Sequence, residues 1–111
     1  MMTMPTWSGK KRFDYEGTVA TGTVIWYGVS RNRISIEPSQ YARLLKHFGG
    51  QEVLVGTDRV NPPSGSLGEW LRKYVTQTAS ASYVAPILIQ EGYAVRASDS
   101  RTIKFVTRLD C

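Results

Sequence analysis

Asn61-Pro62-Pro63-Ser64-Gly65 can belong to neither a helix nor a central strand, because two adjacent prolines fix φ and supply no N–H donor. Directly after it, Ser66-Leu67-Gly68-Glu69 forms a capping box. In such a box the Ser66 hydroxyl accepts from the Glu69 amide while the Glu69 side chain reaches back to the Ser66 N–H. A helix therefore starts at Ser66, and the residues before Asp58 must fold as a separate run of elements. Leu67, Trp70, Leu71, Tyr74 and Val75 then recur at the spacing of a core-facing stripe, which leaves Arg72 and Lys73 in solvent.

Thr76-Gln77-Thr78 interrupts this stripe. Ser80 is placed to cap a second helix, in which Tyr83, Val84, Ile87 and Leu88 are helically spaced and Gly92 gives the stop. Pro86 opposes that reading: it removes one helical hydrogen bond and disfavours α geometry at Ala85, so a kink or a late start is expected. The rival reading makes Tyr83 to Ile89 a strand. Beyond it, Tyr93-Ala94-Val95-Arg96 and Thr102-Ile103-Lys104-Phe105-Val106 form a hairpin around Ser98-Asp99-Ser100-Arg101.

Upstream of the proline break, Arg12 to Ala20 and Thr23 to Val29 are rich in β-branched and aromatic residues and read as strands joined at Thr21-Gly22. Arg33-Ile34-Ser35-Ile36-Glu37 alternates strictly, so Ile34 and Ile36 face inward, and Asn32 is the expected site of a positive φ in the preceding loop. Ser39 is the expected N-cap of a helix carrying Tyr41, Leu44, Leu45 and Phe48 and stopped by Gly49-Gly50; Gln51 to Thr57 is a further strand around Val53 and Val55.

With 111 residues, 41% of them hydrophobic, the chain has material for one core. Residues 1–12 read as a flexible N-terminal arm and 13–111 as a single α+β domain: a β-rich half 13–57, a linker 58–65 and a helix–helix–hairpin half 66–108. The expected order is βββαβααββ, with an antiparallel sheet packed against three helices and the C-terminal hairpin either joining that sheet or standing apart as a wing. The expected core is Trp26, Ile34, Ile36, Leu44, Leu45, Phe48, Val53, Val55, Trp70, Leu71, Tyr74, Val84, Ile87, Leu88, Val95, Ile103 and Phe105.

Helix, turn, helix and basic hairpin in that order make the second half winged-helix-like. Fourteen Lys and Arg against nine Asp and Glu, a net charge of +5, suit a polyanionic partner. The expected nucleic-acid contacts are Arg72 and Lys73 on the first helix, Gln77, Thr78, Ser80 and Ser82 at the turn and second helix, and Arg96, Arg101 and Lys104 on the wing. No Arg, Asn or Lys stands between Thr78 and Gln90, so phosphate contacts are expected to outweigh base reading. Two further basic groups are Lys10-Lys11-Arg12, beside Trp7 and Phe13, and Arg31 with Arg33.

The expected role is a non-enzymatic nucleic-acid-binding or regulatory module. A second reading is a small homodimeric protein that takes a small molecule or protein partner in an aromatic pocket around Trp26, Tyr27, Trp70 and Tyr83. A third is a metal-independent ribonuclease using Arg31, Arg33 and Tyr27. His47, the single histidine, sits in the last turn of its helix, where the helix dipole favours a cation. One His and one Cys cannot fill a zinc shell without carboxylates, and no cofactor motif is present: Gly65-Ser66-Leu67-Gly68 lacks the lysine of a phosphate loop. Cys111 alone forms no internal disulfide, and no apolar run reaches membrane length, so a cytoplasmic protein is expected, without membrane attachment.

Overall fold

The computed structural model describes residues 1–58 and 61–106. Its elements are β1 (Met2–Pro5), β2 (Arg12–Thr18), β3 (Gly22–Tyr27), β4 (Asn32–Ile36), α1 (Pro38–Phe48), β5 (Glu52–Leu54), α2 (Leu67–Tyr74), α3 (Ala81–Gln90), β6 (Ala94–Arg96) and β7 (Thr102–Phe105). The architecture is α+β: a four-stranded antiparallel meander, a second sheet and three helices. Cys111, the end of the 66–108 half and part of the 58–65 linker lie outside the described residues.

The meander runs β1-β2-β3-β4. Its inner face carries Phe13, Tyr15, Thr23, Ile25, Ile34 and Ile36, all buried. Trp26 was expected in this core, but the pairing of Trp26 with Asp14 and Arg33 puts it on the opposite, outer face, where it is half-buried. Val24 and Trp26 are apolar in one phase of β3 and Ile25 in the other, so alternation alone does not choose a face. Tyr74 and Val95, two other expected core residues, are 42% and 46% exposed. The positive φ of the β3–β4 loop falls on Arg31, at 53°, rather than on Asn32.

The N-terminal dozen contains a paired strand. β1 pairs antiparallel with β2, Met2 opposite Tyr15 and Pro5 opposite Arg12, which adds a strand to the expected order. The Thr3 hydroxyl donates to the Asp14 carboxylate. Trp7, next along, is buried.

β5 leaves the first sheet and forms a second with the hairpin, in the order β5-β7-β6. The register accounts for this choice: Val53 lies opposite Ile103, and Glu52 lies opposite Lys104, so both an apolar and an opposite-charge pair are matched. Gly68 lets α2 approach the end of β5, its N–H donating to the Val55 carbonyl at 2.8 Å. A Cβ at Gly68 would stand 1.9 Å from the Gly56 carbonyl oxygen, so this glycine serves close packing.

Both capping expectations need adjustment. α1 begins at Pro38 with Glu37 as N-cap, and the Gln40 side chain accepts from the Glu37 N–H at 2.8 Å, so Ser39 lies inside the helix. At α2 the Ser66 hydroxyl accepts from the Glu69 N–H at 3.1 Å as expected, but the Glu69 carboxylate accepts from the Gly65 N–H at 2.8 Å. The Ser66 N–H is already engaged with the Pro63 carbonyl.

α3 is one helix through Pro86 and contacts both sheets. Tyr83 meets Phe13 and Tyr27 of the meander at 5.3 and 4.9 Å between ring centroids, and Glu91 at its C-terminus accepts from the Val19 N–H at 2.8 Å. Ala81, Val84, Ala85, Pro86, Ile87 and Leu88 are all buried. On the far side of the core Phe48 of α1 stacks on Phe105 of β7 at 5.1 Å.

Pro86 has no N–H to give the Ser82 carbonyl one helical turn back. That carbonyl accepts from the Trp7 N–H at 3.0 Å. The arm thus satisfies the acceptor that the proline leaves open.

Candidate functional site

The nine residues expected to contact nucleic acid fall in separate places. Gln77 and Thr78 are exposed in the α2–α3 turn. Ser80 is 1% exposed, its hydroxyl buried with no hydrogen-bond partner, and it makes no side-chain cap. Ser82 is half-buried with its carbonyl engaged by Trp7. On α2, Arg72 is half-buried and Lys73 exposed. Lys104 points from the outer face of the second sheet, since Ile103 and Phe105 on either side of it are buried.

Arg96 is committed to the arm. Its guanidinium lies 3.9 Å from the Trp7 ring centroid and donates to the Trp7 carbonyl at 3.1 Å. The Trp7 indole N–H donates to the Ser100 carbonyl at 2.8 Å, so the arm is tied to α3 and to the hairpin at once. Arg101, exposed, borders a cavity of about 230 Å³ with Trp7, Leu54 and Pro63. α3 is therefore enclosed by the meander, the arm and the second sheet, and among its residues only Gln90 is exposed. A helix so covered cannot be laid in a major groove.

What the fold does gather is a cleft of about 470 Å³ between the arm, the β3–β4 loop and the α2–α3 turn. Lys11 and Arg12 line it from the arm, Tyr27 and Asn32 from the β3–β4 hairpin, and Gln77 and Thr78 from the turn. Tyr83 closes its inner wall against Tyr27. Among the described residues neither Lys11 nor Arg12 forms an ion pair. Arg31 does: it is bridged to Asp14, whose carboxyl is held below its usual range by the Thr3 hydroxyl and by Arg31. Arg33 stands across from Trp26 on the outer sheet face, the face that also carries the Asp14 to which Arg31 is bridged, while Tyr27 lines the cleft without either arginine.

The aromatic pocket expected around Trp26, Tyr27, Trp70 and Tyr83 is half assembled. Tyr27 and Tyr83 meet in the cleft, Trp26 faces the other way, and Trp70 lies with Phe48, His47 and Tyr74 between α1 and α2. The residue pair missing from the expected contact set was Lys11 and Arg12. Their signal is a basic run next to aromatic residues, set against the neutralising Asp14 and Glu16; the fold turns Asp14 toward Thr3 and Arg31.

Among the described residues no group of three or more His, Cys, Asp or Glu side chains could hold a metal ion, and no helix is long and apolar enough to cross a membrane. A separate buried polar group joins Thr23 and Tyr41, whose hydroxyls are 2.6 Å apart, and Tyr15, whose hydroxyl donates to Glu91 at 3.3 Å. Burial and then the Glu91 charge push the Tyr15 hydroxyl up to about 12, and burial raises Tyr41 further. Both stay neutral at ordinary pH and hold structural hydrogen bonds.

No protein-family model matches this chain, and no curated protein or solved structure matches it.

Proposed function

We propose that this protein is a non-enzymatic nucleic-acid-binding module that grips phosphates from the cleft between the arm, the β3–β4 loop and the α2–α3 turn. The observation that carries the reading is the convergence of Lys11 and Arg12 with Gln77 and Thr78, distant in the chain, on one concave surface. Two cations with hydroxyl and amide donors suit phosphate oxygens. The order α2, turn, α3, hairpin, with β5 completing the hairpin sheet, supports a winged-helix-like layout for the second half. In this reading the turn, not the length of α3, meets the ligand, and contacts are to the backbone rather than to base edges.

Fluorescence anisotropy with mixed-sequence oligonucleotides at rising salt tests it. Binding should weaken steeply with salt, and replacing Lys11 and Arg12 by glutamine should reduce the log–log slope by about 1 to 2. Binding that ignores both salt and these two substitutions would refute the reading. A second reading is a small anionic ligand in the same cleft: its volume of about 470 Å³ is within the range of small-molecule sites, and the Tyr27–Tyr83 pair offers a planar wall. Competition of the oligonucleotide by a mononucleotide distinguishes the two.

A further inference from the structure

The cleft is one end of a longer furrow. Gln77 also borders a second depression of about 450 Å³, lined by Arg72, Lys73 and Glu69 on α2. Lys73 and Glu69 in turn border a third, of about 150 Å³, with His47, Trp70 and Tyr74. The three depressions share side chains and so adjoin, following α2, about 12 Å long, from the arm to the C-terminal end of α1.

Cations recur along the path: Lys11 and Arg12 line one end and Arg72 and Lys73 the middle, and at the other end Arg43 lies over the ring of the lining residue Tyr74. Glu69 is the one carboxylate among the described lining residues of the three depressions, and it already accepts from the Gly65 N–H. Aromatic rings are interleaved with the charges. Tyr74, 42% exposed, has the Arg43 guanidinium and the Lys73 ammonium each 5.5 Å from its centroid and Trp70 behind it at 5.0 Å. Tyr27 and Tyr83 flank the far end.

We propose that this furrow binds single-stranded nucleic acid in preference to duplex, with the backbone following the cations and a base stacked at Tyr74. The inference rests on the reading that the cleft holds phosphates, and extends it to a ligand class. The exposed Tyr74 ring, covered only by the long side chains of Arg43 and Lys73 on its open side, can exchange them for an unstacked base, which a duplex does not present, while the one helix suited by order to a major groove is covered. Every base has a π-face, so little sequence preference is expected.

The test is an anisotropy titration with labelled oligothymidylate, oligouridylate and a duplex of equal length, the first two separating DNA from RNA. Both single strands, or one of them, should bind at least about tenfold more tightly than duplex, and Tyr74→Ala should weaken single-strand binding by about fivefold to a hundredfold. Tyr74→Phe should retain it. Lys73→Glu gives an independent readout on the middle of the path, with circular dichroism confirming that each variant is folded. Equal affinity for duplex, or Tyr74→Ala and Lys73→Glu behaving as the parent while Lys11→Glu with Arg12→Glu abolishes binding, overturns the furrow and leaves the cleft reading standing. No binding of any oligonucleotide overturns both.

Discussion

Helices α2 and α3 are neighbours in the chain and differ in how they meet water. α2 buries Leu67, Gly68, Trp70 and Leu71 and leaves Glu69, Lys73 and Tyr74 exposed, whereas α3 buries six of its residues and carries no charge from Ala81 to Gln90. A helix with a single apolar stripe belongs at a surface; one that is apolar nearly all round belongs in an interior. The contrast leaves charged and aromatic surface on α2, and structural work to α3. It also shows that the order helix, turn, helix, hairpin does not by itself leave the second helix open: here a meander and an arm built from the N-terminal third lie over it.

The contrast is broken most readily by truncating α3. Leu88→Ala should cost about 2–5 kcal/mol in denaturant unfolding, since Leu88 is fully buried, while Lys73→Ala on α2 should stay within about 0.5 kcal/mol. Equal effects would mean that α3 is not the interior helix. Gly68→Ala is the exception on α2. Alanine ordinarily favours a helix by about 1 kcal/mol over glycine, but the clash with the Gly56 carbonyl should reverse the sign and destabilise by about 1–3 kcal/mol.

Pro86→Ala sharpens the picture of how α3 is held. Removing an interior helical proline typically relieves about 3 kcal/mol. Here the new amide would compete with the Trp7 N–H for the Ser82 carbonyl, and the buried ring would leave a void, so the net change should stay below about 1 kcal/mol. Hydrogen exchange at the Trp7 amide should accelerate; a full gain with unchanged exchange would show that the arm contributes nothing at that acceptor. Smallest at neutral pH is the effect of Tyr15. Its hydroxyl titrates near 12 when folded against an ordinary 10.0, so its contribution is complete below about pH 10 and disappears as pH rises through 12. Glu91→Gln should bring the titration back toward 10.0, read by phenolate absorbance.

Local signals were legible in the sequence and pairings were not. The Ser66 cap located α2 because Ser66 and the Glu69 amide it accepts from lie within four consecutive residues, and Gly92 and the helical spacing outlined α3 despite Pro86. The absence of charge from Ala81 to Gln90 was visible too; read as a poor recognition face, it is better explained by burial. β1 escaped notice because an edge strand is made by its partner: the alternation of Met2-Thr3-Met4 is too short to be a signal and ends at Pro5, and only the ladder with β2 organises it. Trp26 was misplaced because β3 is apolar in both phases until register settles its faces. The cleft was half visible, as separate groups at Lys11, Tyr27 and Gln77, and no local pattern could say that the chain brings them together.

The contact between the Trp7 indole and Ser100 joins residues 93 positions apart, and Arg96 covers the same ring. A nascent chain emerges from its N-terminal side, so Trp7 leaves the ribosome long before its clasp exists. Until α3 is made, the part of the meander's inner face that Tyr83 covers is left open. Late closure of this kind lengthens folding and raises the hazard of self-association during synthesis.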